Sequence, residues 1–135
     1  VGFGSVVKVV PGFSVLTNIA LNMPGSILFS EAIAVNLLAG ATGSASGGMS
    51  IALEALGPRF AEMAAGNPST LEALHRIASI SSGGLDTLPH NGAVLTLLAV
   101  SNCTHKESYI DICITTCIIP LVSSLGLALI WGLFL

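Results

Sequence analysis

The chain has 135 residues, 53% of them hydrophobic and only 8% charged, with mean hydropathy +0.89 and formal net charge −3. An ordinary soluble domain carries roughly 25% charged residues, and so little charge cannot cover a small globular surface in water. Membrane lipid is therefore an expected partner. With only four Lys and Arg there is no phosphate-binding face, so no nucleic-acid partner is expected.

Residues 1–10 are apolar except for Ser5 and Lys8, and Gly2 and Gly4 weaken a regular helix there. Pro11-Gly12 punctuates the run, and 13–23 reads as a short apolar helix. Residues 1–23 are expected to be the end of an upstream membrane element. Pro24-Gly25-Ser26 closes it, with Ser26 placed to cap the next helix. That helix, 27–41, would be about 22 Å long, short of the roughly 30 Å hydrocarbon core. Continuing through the small-residue stretch 42–50 to 56 supplies the length, so 26–57 is expected to be one broken helix. Gly43 and Gly47 have the small-xxx-small spacing that permits close helix approach.

Gly57-Pro58 is expected to stop this helix. Residues 58–76 hold Arg59, Glu62, Glu72, His75 and Arg76, and read as an interfacial segment at a membrane face. Ser69 or Thr70 would cap a short helix from near Leu71, and Glu72 and Arg76 have i,i+4 spacing for an ion pair.

Residues 77–103 form a discontinuous or re-entrant segment in this reading. Two apolar arms, each too short to cross a bilayer as a regular helix, flank a polar centre rich in Gly, Ser and Pro. Such breaks are tolerated where backbone lines a protein-walled cavity, and secondary transporters place their substrate sites there. The centre at 42–50 is alike in kind, which suggests two breaks converging on one site. Thr104 and Glu107 have capping-box spacing. Residues 108–135 are the final transmembrane helix, uncharged from 112 on, with Pro120 and Gly126 as kink points and Trp131 suited to an interface.

Hydrogen-bonding residues of the two centres are the candidate substrate site: Thr42, Ser44, Ser46, Ser81, Ser82, Asp86, Thr87, His90 and Asn91. Asp86 is the carboxylate of the second centre, and an apolar setting requires it to be paired, protonated or lining a polar cavity. His90 titrates near neutrality, so Asp86 and His90 are the proton-coupling candidates. Asp86 as a helix cap and His90 as a structural histidine are the simpler alternatives.

Other chemistry fits poorly. The strand–nucleophile–helix context of a hydrolase is missing, and 43–47 has Ala45 where a nucleophile would stand. No Lys follows either glycine cluster, as a phosphate loop would need. Cys103, Cys113 and Cys117 lack partners at metal-site spacing and read as small hydrophobes. No enzyme activity, cofactor or metal is expected. A channel-like or structural membrane subunit is the alternative to a transporter, and a membrane-embedded enzyme a weaker one.

The run 75–93, His-Arg-Ile-Ala-Ser-Ile-Ser-Ser-Gly-Gly-Leu-Asp-Thr-Leu-Pro-His-Asn-Gly-Ala, resembles the signature of the gluconate permease family of proton-coupled carboxylate symporters. So do Thr42-Gly43-Ser44-Ala45-Ser46-Gly47-Gly48 and Thr104-His105-Lys106-Glu107-Ser108-Tyr109, in the same order along the chain. The resemblance covers essentially the whole sequence and would correspond to about the last third of such a permease. It implies an all-α integral membrane fold of the ion transporter superfamily, with inverted repeats, broken helices and re-entrant hairpins. It also implies transport of gluconate or a related sugar or hydroxy acid with protons, in a bacterial cytoplasmic (inner) membrane. The partners implied are a small organic acid anion and a proton, and a homo-oligomer is a further expectation. The chain opens at Val1 without a start Met and reads as part of a longer polypeptide whose upstream portion it needs.

Overall fold

A computed structural model of the chain describes residues 6, 9–22 and 25–134, and all regular structure among them is helical. The readings of Gly2, Gly4, Ser5 and Lys8 lie outside the described residues. The helices are α1 (Pro11–Leu21), α2 (Ile27–Thr42), α3 (Ala45–Met63), α4 (Pro68–Ser81), α5 (Gly92–Ser101), α6 (His105–Cys113) and α7 (Ile119–Gly132). A π-helical turn, Ile114–Ile118, joins α6 to α7.

Helix α2 is the hub: α1, α3, α4 and α7 all pack against it. Apart from Ser30, Glu31, Asn36 and Thr42 its sequence is apolar, with no polar face, as befits a helix surrounded by others. One core cluster gathers Leu28 and Ala32 of α2, Leu56 and Phe60 of α3, Leu74 and Ile77 of α4 and Ala128 of α7. A second joins Val35 and Leu38 of α2 to Ile51 and Ala52 of α3 and Ala78 of α4. Helix α7 runs antiparallel to α2. Gly132 meets Ser26, and Asn36 of α2 reaches Ser124 of α7.

Several local expectations hold. The Ser26 side chain accepts from the Phe29 amide and caps α2. The Glu107 carboxylate accepts from the Thr104 amide at 2.9 Å and the Thr104 hydroxyl at 2.7 Å, completing the box at the start of α6. Glu72 and Arg76 form the i,i+4 pair.

Three expectations are corrected. Gly57-Pro58 does not stop α3, which runs on to Met63. Proline in a helix interior costs about 3 kcal/mol, but Leu56 and Phe60 are buried on either side of Pro58, and each buried side chain returns roughly 1.5–3 kcal/mol. Packing outweighs the local penalty. Helix α4 begins at Pro68 rather than near Leu71, because Asn67 rather than Ser69 or Thr70 supplies the cap, accepting from the Ser69 amide at 3.0 Å. Proline at the first helical position loses no bond, since that N–H has no intrahelical partner. The close approach between helices belongs to Gly48, not Gly47. A Cβ at Gly48 would fall on the backbone of Ala39, whereas one at Gly47 would meet only its own cap, Ser44, at 3.0 Å.

Helices α6 and α7 with the π-helical turn form one continuous rod, His105–Gly132, of 28 residues. At 1.5 Å per residue it is about 42 Å long. It is the helix among the described residues that is long and apolar enough to cross a membrane, and only 17% of its most apolar window is buried. A soluble core helix would be mostly buried. Here Ile110, Ile119, Val122 and Ile130 are exposed, as on a surface that meets membrane or another part of a protein. Arg76 lies over the Trp131 ring at 5.8 Å, so the charged middle of α4 and the aromatic end of α7 share one level.

Candidate functional site

The α2 helix ends where Gly43 takes a left-handed conformation (φ 59°), a backbone shape that favours glycine. Ser44 turns the chain and caps α3 by accepting from the Gly47 amide at 3.2 Å. Thr42 donates to the Leu38 carbonyl at 2.8 Å within its own helix, and Ser46 is exposed on the first turn of α3. The first polar centre is thus a tight helix–helix corner at which α3 folds back along α2, so it does not extend α2 to the bilayer-crossing length expected of 26–57.

The second centre is a run of turns, residues 82–91, linking α4 to α5. Asn91 ties it together. Its Oδ1 accepts from the Ala93 and Val94 amides and caps α5. Its Nδ2 donates to the Asp86 carbonyl at 2.7 Å and across the bundle to the Gly43 carbonyl at 2.8 Å. The donors of the Asn91 amide are both used within the protein. Beside it the His90 ring lies on Gly43, so that a Cβ there would sit 3.1 Å from Cδ2. Leu85 is as close to Gly40, one turn earlier in α2. The two polar breaks therefore meet, through Gly40 and Gly43 on one side and Leu85, His90 and Asn91 on the other.

The far side of the linker rests on the long rod. Thr87 Oγ1 lies 2.6 Å from Thr116 Oγ1, 3.2 Å from the Thr116 carbonyl and 3.2 Å from Cys117 Sγ. Thr116 donates its own hydroxyl hydrogen to the Ile112 carbonyl at 2.7 Å, so Thr87 is the donor of the pair. Pro120 explains why the Thr116 carbonyl is open to it. An N–H at position 120 would bond that carbonyl in a regular helix, and proline has none. The single Thr87 hydroxyl hydrogen is shared between Thr116 Oγ1 and this carbonyl as a three-centre bond. Tyr109 donates to the Thr87 carbonyl at 3.3 Å and His105 Nε2 to the Pro89 carbonyl at 3.1 Å. π-turns inside α-helices are frequent at functional sites.

Beneath the linker lies a buried polar contact that the nine candidate residues do not include. Asn36 Nδ2 donates to the Ala32 carbonyl at 2.8 Å and to Ser124 Oγ at 3.2 Å, and its Oδ1 abuts Gly84. Ser81 is fully buried one turn before Gly84, and its hydroxyl has no partner among the described residues. Ser82 donates to the Ser79 carbonyl at 2.8 Å.

Asp86 and His90 are not bonded to each other. The Asp86 side chain is part-exposed, while its backbone carbonyl accepts from Asn91. His90 is exposed. Among the described residues, these are the ionisable side chains of the junction that make no hydrogen bond to another helix, although the His90 ring packs on Gly43. Asn36, Tyr109, Thr116, Cys117 and Ser124 were missed as members of this region. Asn36 did carry a signal, as the one polar side chain in the apolar run 33–41.

The chain is 46% identical over 111 residues to a Bacillus subtilis (strain 168) protein named uncharacterized transporter YxjC. The match covers 82% of this chain and 24% of that relative, so the chain spans about a quarter of the relative's length. No family model matches the chain, and no solved structure matches it. The relative's name gives a transporter but neither gluconate nor protons.

Proposed function

We propose that the chain is the C-terminal part of an integral membrane transporter that carries gluconate or a related sugar or hydroxy acid across the bacterial cytoplasmic membrane together with protons. The observation that carries this reading is the junction of two polar backbone breaks within an apolar helical bundle, joined by the 2.8 Å bond from Asn91 to the Gly43 carbonyl. Broken segments meeting in this way are how secondary transporters build sites within a bilayer. Likeness to a protein named as a transporter supports the class. The resemblance to gluconate permeases at 75–93, 42–48 and 104–109 supports the substrate class and the proton.

In this reading Thr42, Ser44, Ser46, Ser81, Ser82, Asp86, Thr87, His90 and Asn91 surround the substrate. Thr87 and Asn91 act chiefly by holding the backbone, since their side chains are bonded within the protein. Asp86 and His90 face the organic acid anion. A proton on Asp86 removes the repulsion between two carboxylates, and a charged His90 attracts the anion. Either makes proton and substrate binding mutually favourable, which is the linkage a symporter needs. The exposed apolar faces of α5 and the 105–132 rod meet lipid or the upstream portion of the longer polypeptide. Work is done by transport rather than by bond-making.

Uptake of labelled gluconate by membrane vesicles carrying the full-length protein tests this reading. Accumulation that requires an imposed proton gradient is expected. Failure to accumulate gluconate or any related hydroxy acid under either condition would defeat it.

A further inference from the structure

Glu31 stands apart from every role described above. It is only 2% exposed, in the second turn of the hub helix α2. Its helical neighbours at i−3, i+4 and i+7 are Leu28, Val35 and Leu38, all buried, so its stripe of the helix is apolar. Its Oε2 has no hydrogen-bond partner among the described residues. Capping does not explain it, because Ser26 caps α2 and Glu31 lies beyond the first turn, where the pull of the helix terminus has faded.

Among the described residues no cation offsets it from the packed elements. Helices α1 and α7 carry no titratable side chain. On α3, Glu54, Arg59 and Glu62 are exposed, as are Glu72, His75 and Arg76 on α4. Arg76 is engaged with Glu72, and no ion pair to Glu31 exists among the described residues. Asp86, on the linker, lies at the opposite end of α2, about 18 Å along the axis from Glu31 to the Gly43 corner. An unpaired ionised carboxylate in such a place costs several kcal/mol, and intramembrane carboxyls are functional-site candidates, proton relays among them.

We propose that Glu31 is a second proton-binding carboxyl of this protein, buried in the bundle core, which takes a proton from water on one side of the membrane and returns it to water on the other. The O–H bond of the carboxyl forms and breaks, and no other co-reactant is involved. Helix α2 carries both Glu31 and the Gly43 corner, so a tilt of this one helix that opens Glu31 to water also alters the substrate junction. This role rests on the proton-coupled reading of the preceding section.

Dicyclohexylcarbodiimide, a lipophilic reagent that modifies protonated carboxyls, tests it in membranes containing the full-length protein, with modification located by mass spectrometry. Glu31 is expected to be modified in preference to the exposed Glu62 and Glu72, with labelling that falls as pH is raised and disappears in Glu31→Gln. An unmodified Glu31, or labelling independent of pH, overturns the proposal. In transport, Glu31→Gln is expected to lose accumulation against a gradient while exchange of substrate across the membrane persists, and Glu31→Asp to restore accumulation. A Glu31→Gln protein that accumulates substrate with the wild-type pH profile also overturns it. The labelling does not depend on transport. A pH-dependent label without proton-driven uptake would therefore sink the symporter reading and leave Glu31 as a proton site, and proton-driven uptake without the label would do the reverse.

Discussion

Replacing Gly84 with Ala drives a methyl group onto Asn36 Oδ1, and Asn36 cannot yield cheaply. Its amide nitrogen is fixed by the Ala32 carbonyl at 2.8 Å and Ser124 Oγ at 3.2 Å, both in the bundle interior. Swinging the side chain away leaves buried groups unpaired at roughly 1–3 kcal/mol each, while shifting the linker instead strains the bonds of Thr87 and Asn91. A loss of about 2–4 kcal/mol is expected for Gly84→Ala. Asn36→Ala alone removes the bond to Ser124 but also the obstructing oxygen, so it should cost about 1–2 kcal/mol. In the Asn36→Ala background the added methyl finds room, and Gly84→Ala should then cost less than about 1 kcal/mol. Thermal unfolding of the four full-length variants in lipid completes the cycle. Additive costs would refute the claim that Gly84 is required because Asn36 lies against it.

Thr87→Val should destabilise by about 1 kcal/mol through the lost bond to Thr116, and Thr87→Ser should restore most of it, as thermal unfolding of the full-length protein would register. Pro58→Ala should raise the unfolding midpoint, because an alanine regains the missing N–H in the interior of α3, a difference of up to about 3 kcal/mol; a lower midpoint would mean the proline is needed for packing. Gly126→Ala, whose Cβ meets nothing within 4 Å, should be neutral or slightly stabilising in the same measurement. Asp86→Asn, a permanent mimic of the neutral acid, should keep substrate exchange but lose the pH dependence of uptake, and an unchanged pH profile would remove Asp86 from proton coupling.

Local chemistry made much of this arrangement readable from residues alone. Ser26 before an apolar run, Thr104 with Glu107, and Glu72 with Arg76 each act over three or four residues, and each formed as expected. The two small-residue centres were visible because glycine and hydroxyl residues interrupt apolar runs. What escaped depends on partners distant in sequence. Pro58 is tolerated only because Leu56 and Phe60 find a core built by other helices. The Asn36–Ser124 bond joins residues 88 apart, and neither side chain names the other. The π-helical turn announces itself only through Pro120, and its link to Thr87 appears once the linker is folded against the rod. The burial of Glu31 likewise depends on four helices closing around α2.

Whether the two breaks share one substrate site is measured directly by substrate protection of single cysteines. In a full-length protein lacking Cys103, Cys113 and Cys117, one cysteine is placed at Ser46 or at His90, and alkylation is timed with and without gluconate or whichever related acid is transported. The junction predicts that the acid slows alkylation at both positions, one from each break. Protection at neither position, or at one alone, would contradict a site shared by the two.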